Sequence, residues 1–509
     1  MCGQPLGRII LGSLLLLVSL ACAAQGAEDR FGAAWGQHYR GPAQNDTAAA
    51  QRRLFAASPM GRLRHWNELA INAAGLDHTP VAVNESRVFG EQLGPTRSSR
   101  AMAIVHIAIF DAVNAIVGGY QSYTGLPREH GETSIQAAMA QAAHDTLSAL
   151  YPSQSSSFAA VLAGDLAKIA NSKAKAKGID VGHRAATEIL AIRALDKSDH
   201  AEPKIGTEFM ISNDPGKWRQ DPISMIPIAL GAYWGQVTPF VPASAGQFRA
   251  PVPPALDSAA YTSAYEEAKR LGGDGITTMT ERTAEQTEIG IFWAYDGTPS
   301  LCAPPRLYNQ ITVHIAEQMR SNFIEIARLL ALVNVAMADA AIAVWESKYF
   351  YQFWRPVTGI RESDLGTGPT ELGDGNALTM GDLTFSPLGA PASNLSGPNF
   401  TPPFPAYPSG HAGFGGALFQ VLRSFYRTDN IPFTFVSDEF NGVTKDNGGN
   451  VRPMIARSFA SLSEAEEENG QSRIYLGIHW SFDKTEGIAQ GRRVADYVLQ
   501  KVFLPAHHH

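Results

Sequence analysis

Apolar residues recur at intervals of three or four along most of the chain, whereas stretches that alternate apolar and polar residues are few. Between residues 97 and 117, for example, Met102, Val105, Ile109 and Ile116 fall on one face of a predicted helix. This spacing is that of an amphipathic helix packed against a core. The pattern therefore predicts an all-α fold.

The same spacing predicts helices in both halves of the chain. They cover about 65–74, 97–117, two or three segments within 133–197, and then 256–271, 280–295, 305–319, 322–353, 411–426 and 484–502. The segment 322–353 is apolar nearly all round until Glu346, which is typical of a helix through the middle of a bundle. We therefore expect two helical-bundle halves.

A proline-rich stretch separates these halves. Residues 202–254 contain many prolines together with Trp218, which predicts a long, ordered connector rather than a flexible linker. We accordingly divide the chain into an irregular lead-in at 28–60, an N-terminal helical half with its connector at 61–254, and a C-terminal bundle at 255–506.

The N-terminal residues predict a secretory signal peptide at 1–27. Arg8 precedes an apolar run from Ile9 to about Ala24, and small residues follow. The run is short for a membrane span, so we expect an exported protein without a stable membrane span after signal removal. An uncleaved anchor and lipid anchoring at Cys22 remain as alternatives.

Composition and charge exclude some classes of function and of bonding. The 509 residues are 45% hydrophobic and 17% charged, which is enough for one large core or two ordinary ones. A net charge of −7 without a run of Lys and Arg argues against nucleic-acid binding, so any anion site is local. Two of the three cysteines lie in the predicted signal, which leaves Cys302 without an internal disulfide partner. The sequence does not indicate an oligomeric state.

The first candidate for chemistry is the junction from Pro402 to His411. Its prolines keep the approach extended, and small residues after His411 can begin a helix. A helix N-terminus presents unpaired N–H groups, the Ser409 hydroxyl adds a donor, and His411 can carry a proton at neutral pH. Alone, the same pattern also fits an ordinary helix cap.

Two further segments carry cations. Lys348 and Arg355 are seven residues apart, so two helical turns would place them on one face, where they could bind one anion. His479 and Asp483 are four apart and would meet on a helix, where the carboxylate would fix the imidazole tautomer. Arg473 adds a third cation. Singly these residues also fit surface cations and a core histidine, but together the three segments indicate an oxyanion site.

The combined pattern, Lys-x6-Arg-Pro, Pro-Ser-Gly-His and Ser-Arg-x5-His-x3-Asp, resembles the signature of the type 2 phosphatidic acid phosphatase and vanadium haloperoxidase superfamily. Trp345, Phe-Trp-Arg-Pro at 353–356 and the segment 402–411 resemble the vanadium chloroperoxidases in particular. The resemblance covers roughly Thr287 to Gln500 and implies that the C-terminal bundle carries a vanadate or phosphate site.

The resemblance also implies a role for each matching residue. The residues that would hold the vanadate oxygens are Lys348, Arg355, Ser409, Gly410 through its backbone N–H, and Arg473. His479 would bind vanadium through a ring nitrogen and be oriented by Asp483. His411 would be the acid–base residue beside the cofactor, Lys348 would polarise the peroxide, and Asp296 would pair with Arg473.

Two apolar residues bear on the halide. Trp345 and Phe404 resemble the pair near the halide in chloroperoxidases, and the position of Phe404 holds His in bromide-preferring relatives. The resemblance thus implies a haloperoxidase that oxidises halide with hydrogen peroxide to hypohalite and halogenates a small organic acceptor, with a lean towards chloride competence.

Two alternatives remain at this point. The first is an exported acid phosphatase without a cofactor, which would act on a phosphate ester. In it His479 would attack phosphorus and His411 would protonate the leaving oxygen. The second is an exported helical protein that binds an oxyanion without turnover.

Overall fold

The structure, a computed structural model, describes residues 30–41 and 58–506, so the predicted signal peptide lies outside the described residues. The all-α prediction with two helical halves is confirmed. The helices are α1 (described over 30–35), α2 (Pro59–Asp77), α3 (Gly94–Val117), α4 (Ile135–Leu150), α5 (Ser155–Ala167), α6 (Lys173–Arg193), α7 (Ala259–Gly272), α8 (Ala284–Phe292), α9 (Pro305–Gln318), α10 (Phe323–Tyr351), α11 (Pro356–Arg361), α12 (Gly410–Tyr426), α13 (Leu462–Tyr475) and α14 (Ser481–Leu499).

Helix α10 is the centre of the fold. Its capping box at Asn322 and Glu325 fixes the first turn, and nearly every residue from Ile326 to Lys348 is buried. It packs against α3 of the N-terminal half and against α9, α12 and α14 of the C-terminal half. The all-round apolar sequence of this segment therefore reflects contact with neighbours on every side.

Helices α12 and α14 make the closest packing in the C-terminal bundle. A Cβ atom on Gly491 would lie 2.0 Å from the carbonyl oxygen of Gly413, so only glycine fits there. Nearer the start of α14, the N–H of Ser409 donates to the carbonyl oxygen of Asp483 at 2.9 Å, which brings the beginnings of α12 and α14 side by side. The two segments that carry Ser409 and His479 therefore meet.

The connector between the halves lies across α10. Two 3₁₀ turns, Trp234–Gln236 and Ala245–Phe248, interrupt it. Asp339 of α10 accepts hydrogen bonds from the backbone N–H groups of Phe240 and Val241 at 2.6 and 3.0 Å. The connector is thus held on the same helix that carries Lys348.

Three elements differ from the sequence expectations. The lead-in is helical over 30–35 instead of irregular. Residues 356–361 form α11, which the sequence pattern does not predict. Strands β1 (Phe433–Asn441) and β2 (Met454–Phe459) form an antiparallel hairpin, the one sheet in the described part of the chain.

Two helices, α3 and α10, are long and apolar enough to cross a membrane by composition alone. In their most apolar windows, however, 83% and 94% of the residues are buried inside the protein. Such burial is that of core helices in a folded bundle.

Candidate anion-binding active site

The predicted site residues come from six places in the chain that meet at one end of the C-terminal bundle, with Asp296 between α8 and α9. The five that would hold the anion by their side chains are each at most 2% exposed: Lys348 (last turn of α10), Arg355 (before α11), Ser409 (before α12), Arg473 (last turn of α13) and His479 (before α14). The fold therefore gathers these polar groups inside the protein, away from bulk water.

Lys348 and Arg355 do not lie on one helix face as expected. Helix α10 ends at Tyr351, and Gln352 takes the left-handed conformation with φ of 52°. The chain turns there, and Arg355 follows the turn as the residue before α11. The seven-residue spacing therefore gave the wrong geometric reason for placing the two cations together.

Both cations nevertheless reach the same proline-rich segment. Lys348 Nζ donates hydrogen bonds to the carbonyl oxygens of Pro405 and Ala406, each at 2.8 Å. Arg355 Nε donates to the carbonyl oxygen of Phe404 at 2.9 Å. These bonds fix the approach to α12 and hold the two cations next to its N-terminus.

The N-terminus of α12 provides neutral donors. Ser409 is its N-cap, and its Oγ accepts from the N–H of Ala412 at 3.5 Å, which leaves the hydroxyl proton available to another acceptor. The first N–H groups of a helix, here from Gly410 onward, have no carbonyl partner within the helix. A Cβ atom on Gly410 would lie 3.0 Å from the Trp345 ring, so glycine allows this aromatic wall to pack closely against the backbone.

His479 is held in one tautomer. Its Nδ1 lies 2.8 Å from Asp483 Oδ2, which also accepts from the N–H of Trp480 at 3.0 Å. Its Nε2 lies 3.0 Å from Arg355 Nη1. Because a guanidinium only donates, Nε2 carries the lone pair and Nδ1 carries the proton. The predicted contact with Asp483 is present, although His479 itself precedes α14.

Arg473 is less completely paired. Its Nη2 donates to Asp296 Oδ1 at 2.6 Å, which is the pairing that the resemblance implies. Its Nε and Nη1 are buried and have no hydrogen-bond partner among the described residues. A buried donor without an acceptor is costly, so these two N–H groups mark a place for an acceptor.

His411 lies in the first turn of α12. Its Nε2 contacts the carbonyl oxygen of Ala294, so this nitrogen carries the proton and the lone pair of the neutral ring is on Nδ1. Burial, and secondarily the charge of Arg473, hold the pKa of His411 well below its usual value. In the protein without a bound anion the ring is therefore held in its neutral form, and the role of His411 in proton transfer stays a prediction.

The charges in the site do not balance. Three cations, Lys348, Arg355 and Arg473, lie near two carboxylates, Asp296 and Asp483. Burial, reinforced by the neighbouring guanidinium, lowers the pKa of Lys348 well below its usual value, and burial lowers that of Arg355 to about 9. Burial raises the pKa of Asp483 to about 7. A bound anion would raise the pKa values of Lys348 and Arg355 again and so stabilise their charged forms.

The site opens into a pocket that is partly open to solvent. Arg473, His411 and His479 lie at its polar end, and the predicted halide pair lies beside them. The rings of Trp345 and Phe404 have centroids 4.9 Å apart and both line the pocket.

The sequence pattern missed other parts of the pocket. Trp35 of α1 and Leu230 of the connector also line it. The nearest sequence signals for them are the aromatic residues of the lead-in and the density of prolines in the connector. Neither signal points to a pocket.

The residues present fit vanadate. Two open guanidinium donors, the first N–H groups of α12 and the Ser409 hydroxyl suit its oxygens, and the lone pair of His479 Nε2 suits the metal. Within residues 30–41 and 58–506, no group of three or more His, Cys, Asp or Glu side chains could hold a bare metal ion. The cationic surroundings thus favour a metal oxyanion over a metal cation.

Comparisons with known proteins agree with this chemistry. Residues 328–506 match the family described as the VCPO second helical-bundle domain. The chain is 30% identical over 495 residues to a vanadium chloroperoxidase from Curvularia inaequalis, covering 82% of this chain and 78% of that protein.

Two solved structures share the fold. One is described as the first bacterial vanadium-dependent iodoperoxidase, with a TM-score of 0.68 and 23% identity over 87% of this chain and 98% of that chain. The other is an apo-type bacterial vanadium-dependent chloroperoxidase, with a TM-score of 0.58 and 16% identity over 80% and 94% of the respective chains. At these identities the likeness concerns architecture alone.

Proposed function

The chain belongs to the vanadium haloperoxidase family, and we propose that it binds vanadate and oxidises halide with hydrogen peroxide to a hypohalite equivalent. The observation that carries this proposal is the buried cationic cluster, in which Arg473 has two donors without a partner in the described part of the chain. An oxyanion would satisfy both donors and neutralise the cluster.

The donors divide between the oxygens and the metal. Those that would hold the vanadate oxygens are Lys348, Arg355, Ser409, the Gly410 N–H and Arg473. His479 Nε2 would bind vanadium, for which the Arg355 guanidinium would have to give up its present hydrogen bond to that nitrogen. When bound, vanadate supplies a Lewis-acidic centre at which peroxide becomes reactive towards halide.

Asp483 keeps His479 ready to bind. By accepting from Nδ1–H it holds the proton on that nitrogen and leaves Nε2 free of one. The N–H of Trp480 donates to the same carboxylate oxygen and fixes its position. The His479 ring is thus held at Nδ1, the nitrogen that would not bind vanadium. Asp483 therefore acts by positioning His479.

His411 is suited to accept a proton. It is neutral, its Nε2–H is engaged by the carbonyl oxygen of Ala294, and the Nδ1 lone pair remains to take a proton from incoming hydrogen peroxide. The nearby anion would raise the pKa of His411 and stabilise the imidazolium that forms. The ring can then return that proton during turnover.

The aromatic pair supports a halide site beside the cations. Lys348 Nζ lies 5.2 Å from the centroid of Phe404 and 5.7 Å from that of Trp345. Ring edges are weakly positive, and the apolar walls strengthen the attraction between Lys348 and an anion by excluding water. With Phe404 in place of a polar side chain, we propose that chloride is a competent substrate.

A phosphatase is the alternative function, and the tautomer of His479 is also the one that this reaction requires. Its Nε2 lone pair could attack phosphorus, and the same donors would hold phosphate oxygens. His411 would first have to carry a proton in order to protonate the leaving oxygen. A bound phosphate ester would raise the pKa of His411 as vanadate would, so the protonation of this ring is compatible with both reactions.

The deciding experiment compares both reactions on one preparation. The purified protein is loaded with vanadate and assayed with peroxide and either bromide or chloride for halogenation of a diketone dye. The vanadate-free protein is assayed on an aryl phosphate. We expect halogenation with both halides. Absence of halogenation together with a vanadate-sensitive phosphatase activity would overturn the proposal.

A further inference from the structure

The pocket extends well beyond the residues that would hold vanadate and halide. We call its apolar part the acceptor chamber, which is lined by Trp35, Ile228, Leu230, Phe400, Phe404 and Phe414. Pockets with mostly apolar walls and a few polar groups are typical sites for small organic ligands. This pocket has walls of that kind.

One wall of the chamber comes from α1. The Trp35 ring meets the Phe400 ring edge to face, with centroids 5.0 Å apart and an angle of 89°. Tyr39 Oη donates to the carbonyl oxygen of Pro398 at 2.9 Å, which ties the residues after α1 to the segment that leads to the active site. Trp35 is therefore a fixed part of the wall.

The connector supplies another wall, which is also fixed by hydrogen bonds. The N–H of Leu230 donates to the carbonyl oxygen of Pro403 at 2.9 Å. The carbonyl oxygen of Leu230 accepts from Trp345 Nε1 at 3.2 Å and from Tyr349 Oη at 2.9 Å. A wall held on both sides by hydrogen bonds is pre-organised, which lowers the entropic cost of binding a ligand.

Away from its polar end the chamber has no charge to offer a ligand, as far as the described residues show. His78, which also lines the pocket, has Nδ1 2.8 Å from the carbonyl oxygen of Ala74, and its Nε2 accepts from the N–H of Gly94 at 2.9 Å. Both ring nitrogens are thus used. Although Cys302 and Asp77 raise the pKa of His78 to about 9, the N–H of Gly94 can donate only to an unprotonated Nε2, so this geometry holds the ring neutral. A charged ligand would be desolvated here without compensation, so the chamber suits a neutral molecule.

We propose that the acceptor chamber binds a neutral aromatic molecule and that this molecule receives the halogen inside the pocket. The inference rests on the proposed function. One aromatic C–H bond breaks and one C–X bond forms, halide is oxidised by two electrons, and hydrogen peroxide is reduced. The sum is ArH + X⁻ + H₂O₂ + H⁺ → ArX + 2 H₂O, with the ring proton passing to solvent. The aromatic walls can stack edge to face on such a ring.

The first test measures the position of halogenation. The vanadate-loaded protein brominates 1-methoxynaphthalene, and the ratio of ortho to para product is compared with that from reagent hypobromous acid. We expect the ratios to differ by at least about fivefold, because a chamber that orients the ring discriminates between its positions. Identical ratios would overturn the inference, since they would mean that hypobromous acid reacts in solution.

Variants of α1 sharpen this test. Trp35→Ala should bring the ratio to within about twofold of that given by the reagent, whereas Trp35→Phe should keep most of the selectivity. Phe31→Ala is the matched control, because the Phe31 ring contacts Trp35, with centroids 6.2 Å apart, without lining the pocket. It should retain the wild-type ratio. An equal loss in Phe31→Ala and Trp35→Ala would contradict the role of Trp35 as a wall.

The second test needs neither vanadate nor turnover. The neutral fluorophore N-phenyl-1-naphthylamine is titrated into the vanadate-free protein. Ile228→Glu should weaken its binding at least about tenfold, because a carboxylate is then placed in the apolar wall. Ile228→Leu, the matched control, should bind within about threefold of wild type. Absence of binding to the wild type, or equal binding by Ile228→Glu, would overturn the inference.

The failures of the two proposals can be told apart. If the wild type does not halogenate the diketone dye, the proposed function is wrong. If the dye is halogenated but the naphthalene ratio equals that of the reagent, the chamber inference alone is wrong.

Discussion

Two buried arginines in this protein differ in how their N–H groups are paired. Arg306 Nε donates to Asp438 at 2.7 Å, and its Nη1 donates to the carbonyl oxygen of Ile71 and to Asn72 Oδ1, both at 2.9 Å. Arg473, which is more deeply buried, donates through Nη2 to the Asp296 carboxylate and has no other hydrogen-bond partner among the described residues. Arg306 therefore has protein acceptors for its buried donors, whereas Arg473 has two buried donors that still require an acceptor.

The difference separates a structural charge from a functional one. A buried charge is tolerated when its partners compensate for lost hydration, as the ion pair and carbonyls do for Arg306. The surroundings of Arg473 include the further cations Lys348 and Arg355, which repel it. Buried donors without acceptors and neighbouring like charges are expected where a protein binds a ligand.

The largest expected effect comes from removing the nitrogen ligand. His479→Ala should lower halogenation by at least about 1,000-fold, or about 4 kcal/mol, because the proposed bond to vanadium is lost. His106→Ala is the matched control, because His106 is also a buried histidine but bonds Asn67 in the N-terminal half. Both variants are compared in the diketone assay after vanadate loading. A similar loss of halogenation per folded molecule in both would contradict the assignment.

The second prediction concerns stability without vanadate. Arg306→Met should lower the free energy of unfolding by about 2–4 kcal/mol, because Asp438 loses its ion pair and keeps only the hydrogen bond from Gln310 Nε2, and because the carbonyl oxygen of Ile71 loses its donor. Arg473→Met also removes a partner from a buried carboxylate, Asp296. It should nevertheless cost less, because it removes repulsion and two buried donors that have no partner in the described structure, and because burial already raises the pKa of Asp296, which can then take up a proton. Urea unfolding of the two variants measures the difference. Equal costs would remove the distinction between the two arginines.

Asp483→Asn tests the positioning of His479. An amide can present a donor to Nδ1 and no longer enforces the proton there, so vanadate affinity should fall by about 10–100-fold. Asp339→Asn is the control. Burial raises the pKa of Asp339 to about 7, as it does for Asp483, but Asp339 accepts backbone N–H groups of the connector. An unchanged affinity in Asp483→Asn would refute the tautomer argument.

The smallest effect is a pH dependence. The folded-state pKa of His411 lies well below 6.5, so the unfolded chain binds a proton that the folded chain does not. The free energy of unfolding should therefore fall as pH drops below about 6.5, by about 1.4 kcal/mol per pH unit for this group. His411→Asn should reduce the slope by that amount in urea unfolding without vanadate. The same slope in variant and wild type would show that His411 is not held neutral.

The sequence predicted which residues meet in the site better than how they meet. The sequence indicates Lys348, Arg355 and Arg473 because all three are cations that could bind one anion and because they match the family pattern. The prediction that Lys348 and Arg355 lie on one helix face is wrong, because α10 ends at Tyr351 and Gln352 takes a left-handed conformation. Glycine, the usual sequence signal for such a helix end, is absent from this position. Such a helix end is decided by tertiary contacts.

The helices were predictable where the helical apolar pattern extends over many residues, as in α3 and α10. The hairpin was not predictable, because β1 buries the polar residues Ser437 and Glu439. The buried Glu439 carboxylate is compensated by Arg452 and Ser393, which lie elsewhere in the chain. Buried polar residues hide the alternation that marks a strand. The wall formed by Trp35 was equally hidden, because it depends on contacts between segments far apart in sequence.

Vanadate affinity of the metal-free protein, measured by calorimetric titration, tests the central claim most directly. The wild type should bind one equivalent, and Arg306→Met should bind within about threefold of it, because that arginine lies outside the site. Arg473→Met should bind at least about 100-fold more weakly, because two charge-assisted hydrogen bonds are lost. No binding by the wild type, or equal affinity in the wild type and Arg473→Met, would contradict the claim that the open donors of Arg473 are the anion site.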